Sequence, residues 1–174
     1  MGQLFFYLGG AKSGKTKTAL EKVESWPGPY VYLATAKARD EEMRAKVKAH
    51  QAERGPKWRT VEAPDDPAGA ILELKGPEPI LLDCLTLWLG NLLESIAEPY
   101  SLAAVEEKFA AILKAIVGRK GPTVAVSGEV GSGLVPMEPL SRFYREGLGR
   151  INQLAAKEAF EAYLVVAGIP LKLK

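Results

Sequence analysis

The stretch Gly9-Gly10-Ala11-Lys12-Ser13-Gly14-Lys15-Thr16 decides the fold, because it fits the pattern G-x-x-x-x-G-K-[ST] of the phosphate-binding P-loop. It directly follows an apolar run at residues 4–8, which predicts a buried strand. It precedes residues 17–23, whose composition predicts a helix. Strand, glycine loop and helix together form the context that this motif requires.

The motif predicts a nucleoside triphosphate site, with all eight residues from 9 to 16 as nucleotide-binding positions. Glycines allow the backbone to wrap the phosphates closely and to turn its N–H groups inward. The N-terminus of the following helix adds a partial positive charge. We expect Lys15 to reach the β- and γ-phosphates and the Thr16 hydroxyl to ligate Mg²⁺.

Length and composition restrict the number of domains, the possible partners and the cellular location. The chain has 174 residues, of which 47% are hydrophobic, and this predicts one domain, residues 1–174, with a sizeable core. A net charge of +2 gives no electrostatic reason to expect nucleic acid as a partner. We expect no membrane span, because no apolar run reaches about 18 residues. The single cysteine, Cys84, excludes an internal disulfide, and we expect a cytoplasmic protein.

Strand and helix patterns alternate along the chain. Strands are predicted at residues 4–8, 30–36, 58–62, 79–84, 123–127 and 163–167, with an antiparallel edge strand at 171–174. Helices are predicted at 17–23, from 40 to about 54, at 68–74, 85–96 and 101–117, and in a last stretch to about 162. This order predicts an α/β fold of the RecA-like P-loop NTPase kind, with a mostly parallel sheet flanked by helices.

Two strand ends supply further candidate site residues. Asp83 ends an apolar strand, as does the Walker B acid that holds Mg²⁺ directly or through water in P-loop proteins. Its alternative role is to cap the helix that follows. Ala34 and Thr35 end the second strand near the phosphate loop and are predicted to line the site, with ordinary strand-end packing as the alternative.

His50 is the only histidine. A neutral imidazole can attack the α-phosphorus of a nucleotide, which gives a nucleotidyl-histidine and pyrophosphate. A histidine near a helix end can equally be structural. The spacing of residues along the chain leaves both interpretations open.

Six separated stretches in one order carry a family resemblance. They are Gly9 to Thr16, Tyr32-Leu33-Ala34-Thr35-Ala36, Asp40-Glu41-Glu42-Met43 with His50, Arg54 and Trp58-Arg59-Thr60-Val61-Glu62, then Leu82-Asp83-Cys84-Leu85-Thr86-Leu87-Trp88-Leu89, Ser127 to Pro136, and Arg142 to Gln153. Together they resemble the bifunctional adenosylcobinamide kinase / adenosylcobinamide-phosphate guanylyltransferase (CobU-type) family of cobalamin synthesis. The departures are small: Lys12 stands where Arg is common, and Gly128 stands where Asn is common.

The resemblance implies two reactions with Mg²⁺ as cofactor and ATP and GTP as substrates. The first phosphorylates the aminopropanol hydroxyl of adenosylcobinamide. The second transfers GMP from GTP to adenosylcobinamide phosphate through a guanylylated histidine, which is His50 by motif position. The resemblance also implies a homotrimer, in which the large corrinoid would bind between subunits.

Further site residues follow from the same resemblance. Nucleotide-binding roles are implied for the segment after His50, which comprises Gln51, Ala52, Glu53 and Arg54. Glu62 is similar in position to the acid that reads the guanine base.

The general base of the kinase step is not identified by the sequence. Glu129 is a candidate, and Arg142, Arg145 and Arg150 are candidates for stabilising phosphate charge; their alternative is a solvated surface position. Two other functions stay open. One is a P-loop small-molecule kinase with a structural His50, and the other is a nucleotide-binding regulatory module without turnover. A covalent GMP adduct would exclude the first, and corrinoid-dependent pyrophosphate release would exclude the second.

Overall fold

The computed structural model describes residues 2–37 and 54–174, and seven strands of these residues form one sheet. The strand order is β3-β2-β4-β5-β1-β6-β7, and every neighbouring pair is parallel except β6 and β7. The strands are β1 (Leu4–Gly9), β2 (Tyr30–Ala34), β3 (Trp58–Glu62), β4 (Ile80–Asp83), β5 (Thr123–Gly128), β6 (Glu161–Val166) and β7 (Ile169–Lys172). The predicted α/β fold with a mostly parallel sheet and an antiparallel edge strand is confirmed.

Five helices within the described residues cover the two faces of the sheet. They are α1 (Lys15–Glu24), α2 (Pro67–Glu73), α3 (Leu85–Ser95), α4 (Leu102–Gly118) and α5 (Pro139–Glu158). Alternation along β1 shows how the faces divide, because Phe5 and Tyr7 pack in the smaller core with α1, whereas Phe6 packs in the larger core with α3, α4 and α5. The loop between β1 and α1 therefore has α1 on its own side of the sheet, and the other four helices pack on the opposite side.

The C-terminal elements differ from the sequence prediction. The last helix ends at Glu158, not near residue 162, because the backbone N–H of Phe160 already donates to Leu4 O (2.7 Å) and the chain joins β1 as strand β6. The hairpin turn lies at Ala167 and Gly168, both with positive φ, and not at residues 168–170. The edge strand accordingly spans Ile169–Lys172 and not 171–174. The predicted helix from residue 40 to about 54 falls almost entirely outside the described residues.

Candidate active site

The phosphate loop joins the end of β1 to the start of α1. Gly14 precedes the helix with φ +90°, a left-handed conformation that favours glycine, and a Cβ there would lie 2.9 Å from the Gly168 Cα. A Cβ on Gly9 would lie 2.5 Å from Ser13 Oγ and 2.6 Å from Val165 O. Two glycines of the motif are therefore required by close packing within the protein itself.

Backbone hydrogen bonds hold the loop from both neighbouring strands. The N–H of Glu129, just after β5, donates to Gly9 O (3.0 Å). The N–H of Gly168, in the β6–β7 turn, donates to Ser13 O (2.7 Å). The loop is thus fixed before any phosphate arrives, which lowers the conformational cost of binding.

Lys15 and Ser13 show how the loop is prepared for an anion. Lys15 Nζ donates to Gly10 O (3.0 Å), so its ammonium group lies across the loop. Ser13 Oγ is buried and has no hydrogen-bond partner among the described residues. A buried hydroxyl without a partner carries an energetic cost that a phosphate oxygen can relieve, and this fits the predicted ligand.

A cavity of about 410 Å³ lies beside α1 and contains both predicted magnesium ligands, Thr16 and Asp83. Within the described ranges no cluster of three His, Cys, Asp or Glu side chains could enclose a metal by itself. One hydroxyl and one carboxylate, completed by phosphate oxygens and water, form the hard oxygen donor set that Mg²⁺ prefers. The residues present therefore fit a magnesium–triphosphate complex.

Tyr32 is a site residue that the sequence analysis did not single out. Its hydroxyl donates to Asp83 Oδ2 (2.5 Å), and the Arg54 guanidinium lies over its ring, 3.5 Å from the ring centroid. Burial and then the negative charge of Asp83 raise the pKa of Tyr32 far above its ordinary value. The hydroxyl therefore stays a hydrogen-bond donor to Asp83 across the physiological pH range.

Thr35 connects the ends of β2 and β4 behind Asp83. Its buried Oγ1 donates to Cys84 O (2.7 Å) and accepts from the Cys84 N–H (2.7 Å). The buried Asn91 side chain donates to Thr35 O (2.7 Å) and to Pro64 O (3.0 Å). Burial and then the charge of Asp83 raise the pKa of the Cys84 thiol to about 11, so it is protonated at neutral pH. These contacts fix the backbone that carries Asp83.

The remaining predicted nucleotide-binding residues lie at or near the same end of the sheet, or outside the described residues. Ala34 is buried at the end of β2, in register with Asp83 on one side and with the exposed Glu62 on the other. Arg54 lines the cavity and donates to Thr60 Oγ1 (3.3 Å). His50, Gln51, Ala52 and Glu53 lie outside the described residues.

The charged candidates of the segment after β5 are all engaged in local hydrogen bonds or ion pairs. Glu129 accepts from the backbone N–H groups of Gly131 (2.6 Å) and Ser132 (3.3 Å). Burial would raise the pKa of Glu129, but these hydrogen bonds and the charge of Arg145 outweigh it and lower the pKa. In this geometry the carboxylate is a weak proton acceptor, and it is turned towards its own backbone.

The three arginines contact protein groups as well. Arg142 donates to Pro136 O (3.2 Å) and Met137 O (2.5 Å), and Arg145 donates to Gly131 O through a short bond. Arg150 forms an ion pair with Glu106 (2.7 Å) on α4. Arg142 and Arg145 therefore hold the backbone of the loop between β5 and α5.

No helix in the described part of the chain has the length and apolar character needed to cross a bilayer.

Comparison with known proteins places this site in a specific context. The sequence matches the cobinamide kinase / cobinamide phosphate guanyltransferase family over residues 5–173. It is 39% identical over 169 residues to the bifunctional adenosylcobalamin biosynthesis protein CobP of Pseudomonas aeruginosa, covering 96% of this chain and 95% of the relative. It is 35% identical over 176 residues to the protein CobU of Salmonella typhimurium, named for the same biosynthesis, covering 95% of this chain and 97% of the relative.

The fold has a structural neighbour with little sequence similarity. The crystal structure of the RadB recombinase aligns with a TM-score of 0.53 at 15% identity, covering 94% of this chain and 74% of that one. This similarity supports the predicted RecA-like P-loop fold and says nothing about the reaction.

Proposed function

Because the chain belongs to the cobinamide kinase / cobinamide phosphate guanyltransferase family, we propose that one phosphate loop serves both reactions of a bifunctional adenosylcobalamin biosynthesis enzyme. The observation that carries this proposal is the cavity that brings Thr16 of the loop together with Asp83 at the end of β4. Both activities start from a triphosphate, and the reacting phosphorus differs: γ in the kinase step and α in the guanylyl step.

In the kinase step the acceptor hydroxyl of adenosylcobinamide attacks the γ-phosphorus. The bond from this phosphorus to the bridging oxygen breaks, and the nucleoside diphosphate leaves. Backbone N–H groups of residues 9–16 and the Lys15 ammonium group would hold the phosphates, and the ammonium would exchange its present bond to Gly10 O for a phosphate oxygen. The acceptor hydroxyl gives its proton to solvent or to the transferred phosphoryl group, because Glu129 is directed to its own loop.

Magnesium would be held by the Thr16 hydroxyl and the Asp83 carboxylate, directly or through water. When bound, it neutralises the charge that develops on the phosphate oxygens. Tyr32 would keep Asp83 oriented through its hydrogen bond.

In the guanylyl step we assign the nucleophile to His50, on the strength of the motif resemblance. An imidazole nitrogen would attack the α-phosphorus of GTP, and the bond to the β-phosphate would break with release of pyrophosphate. A phosphate oxygen of adenosylcobinamide phosphate would then attack the same phosphorus and free the imidazole. Nucleotide contacts are proposed for Gln51 to Arg54 and for Ala34 and Thr35, and Glu62 is proposed to accept from guanine N1–H and the exocyclic amine.

We also propose a homotrimer and a cytoplasmic location. The exposed apolar side chains of β7 and its neighbours, among them Ile169, Leu171 and Leu173, support a protein partner at that edge. Measurement of the molar mass in solution tests the trimer.

A single set of variants tests the two half-reactions separately. Wild type, His50→Ala and Lys15→Ala would be incubated with α-labelled GTP and Mg²⁺ and then denatured, and the peptide around residue 50 would be analysed by mass spectrometry. We expect an acid-labile, base-stable GMP adduct on His50 in wild type only.

The same variants would be assayed for adenosylcobinamide phosphate and for adenosylcobinamide-GDP. His50→Ala should still make the phosphate but not the GDP product, whereas Lys15→Ala should lose both. Formation of adenosylcobinamide-GDP by His50→Ala would overturn the histidine mechanism. Failure of wild type to phosphorylate adenosylcobinamide would overturn the proposal as a whole.

A further inference from the structure

The loop between β5 and α5, residues 129–138, displays large apolar side chains to solvent. Leu134 is 96% exposed and Met137 is 93% exposed, and Val135 between them is also exposed. Such a concentration of exposed apolar side chains on one short segment indicates a binding surface.

This β5–α5 loop is held in shape by its own polar groups. At one end the Glu129 carboxylate accepts from the backbone N–H groups of Gly131 and Ser132. At the other end the Glu138 carboxylate accepts from the N–H groups of Leu140 (2.9 Å) and Ser141 (2.6 Å). The polar side chains thus turn inward to the backbone, and the apolar ones are presented outward.

Two guanidinium groups complete this arrangement from α5. Arg142 donates to the carbonyl oxygens of Pro136 and Met137, and Arg145 donates to Gly131 O. The loop that carries the exposed apolar side chains is therefore preorganised, so binding a ligand does not require ordering of the loop.

The base of the loop adjoins the phosphate loop. Glu129 N–H donates to Gly9 O, and Gly128 N–H donates to the Thr86 hydroxyl (2.6 Å). From Glu129, five residues in extended conformation reach at most about 18 Å, so Leu134 lies within that distance of Glu129, whose N–H contacts the phosphate loop. A ligand on the loop can therefore extend a side arm to the phosphates.

The nucleotide cavity and the β5–α5 loop lie on opposite faces of the sheet. The cavity with Thr16, Tyr32 and Asp83 is lined by α1 and lies on the α1 face. The β5–α5 loop leads to the opposite face, where α5 packs. With the nucleotide on the α1 side, the acceptor can approach from the loop side.

We propose that the β5–α5 loop docks the corrin macrocycle of the acceptor, an inference that rests on the proposed function. The acceptor is a large ring with apolar faces and peripheral amides, and its side arm carries the reacting hydroxyl. Leu134 and Met137 offer apolar contact to the ring. Beside the loop, a cavity of about 520 Å³ lined by Val135, Arg142 and Arg145 offers hydrogen-bond donors to amide carbonyl oxygens.

The test is the double variant Leu134→Ser/Met137→Ser, compared with Leu72→Ser. Because Leu134 and Met137 are almost fully exposed, their replacement leaves the core intact. Leu72 on α2 is also exposed, at 57%, and lines a separate cavity. Four quantities would be measured: KM for adenosylcobinamide, the dissociation constant for GTP, GMP adduct formation without corrinoid, and molar mass by light scattering.

We expect KM for adenosylcobinamide to rise by about 10- to 100-fold in the double variant, since two apolar contacts are lost. GTP affinity, adduct formation and molar mass should match wild type, and Leu72→Ser should be unchanged throughout. An unchanged KM would overturn the docking proposal. A lower molar mass would also overturn it, because Leu134 and Met137 would then be covered by another copy of the chain and would not contact the ring. Neither result would touch the adduct and product assays that test the proposed function.

Discussion

Replacing Tyr32 with Phe should weaken the response to Mg²⁺ without weakening the binding of metal-free nucleotide. The substitution removes only the hydroxyl that donates to Asp83 Oδ2 (2.5 Å) and keeps the ring on which Arg54 lies. The cavity wall is therefore conserved, and the orientation of one carboxylate changes.

The size of the expected effect follows from the strength of the Tyr32–Asp83 hydrogen bond that the substitution removes. A hydrogen bond to a charged acceptor contributes about 1.5–3 kcal/mol. Asp83 is half-buried and borders an open cavity, so water can replace part of the lost donor, and the lower value applies. About 1.5 kcal/mol corresponds to roughly a tenfold rise in the Mg²⁺ concentration needed for half-maximal activity.

The assay has a matched control on the same strand. GTP affinity would be measured by equilibrium dialysis with excess Mg²⁺ and with EDTA, together with the Mg²⁺ dependence of phosphorylation. Tyr30→Phe makes the same chemical change two residues earlier on the same face, where the hydroxyl donates to Trp26 O (2.9 Å) and not to Asp83. If Tyr32→Phe and Tyr30→Phe show the same Mg²⁺ dependence as wild type, Tyr32 does not position the carboxylate.

Three further predictions concern the framework of the site. Gly14→Ala places a Cβ 2.9 Å from the Gly168 Cα, at a residue with φ +90°. It should lower the free energy of unfolding, measured by urea denaturation, by about 1–3 kcal/mol and weaken GTP binding, measured by titration. If neither quantity changes, the packing argument is wrong. Asn91→Leu removes two donors from buried carbonyl groups and should cost about 2–3 kcal/mol, visible as a lower urea midpoint with unchanged slope. Hydrogen bonds from Lys172 and Tyr163 lower the pKa of Glu161 to about 2. Their contribution to the stability of the fold is therefore present above the unfolded pKa of about 4.3 and is lost as the pH falls towards 2. Thermal denaturation over this pH interval should show a smaller loss of stability for Lys172→Met than for wild type, and equal losses would refute the assignment.

The sequence alone predicted the phosphate loop and the parallel sheet because both depend on local patterns. The motif at residues 9–16 combines glycines, Lys15 and Thr16 at fixed spacing, and each strand is an apolar run between turn residues. The structure confirms these elements. Thr16 and Asp83 line one cavity, and their role as magnesium ligands stays a prediction.

The structure differs from the sequence predictions where contacts between distant residues determine the local structure. The stretch around Glu158 has uniform helix propensity and no glycine or proline to end it, so the helix end is set by the pairing of Phe160 with Leu4 of β1. The contact of Tyr32 with Asp83 joins residues 51 positions apart, and no local pattern reports it. The available signal was that Tyr32 lies two residues before the end of β2, at the edge of the sheet that carries the site. Arg142 and Arg145 of α5 are a similar case, because their partners are backbone carbonyl groups.

The hydrogen bond from Gly168 to Ser13 has a consequence for synthesis of the chain on the ribosome. The phosphate loop is made well before residue 168, which supplies one of its backbone clamps, and before β5 and β6, with which its strand pairs. Nucleotide therefore cannot guide the early stages of folding, since its binding loop takes its final form only after the β6–β7 turn has emerged. A nascent chain arrested before that turn should bind GTP poorly, and one that includes it should bind at full strength.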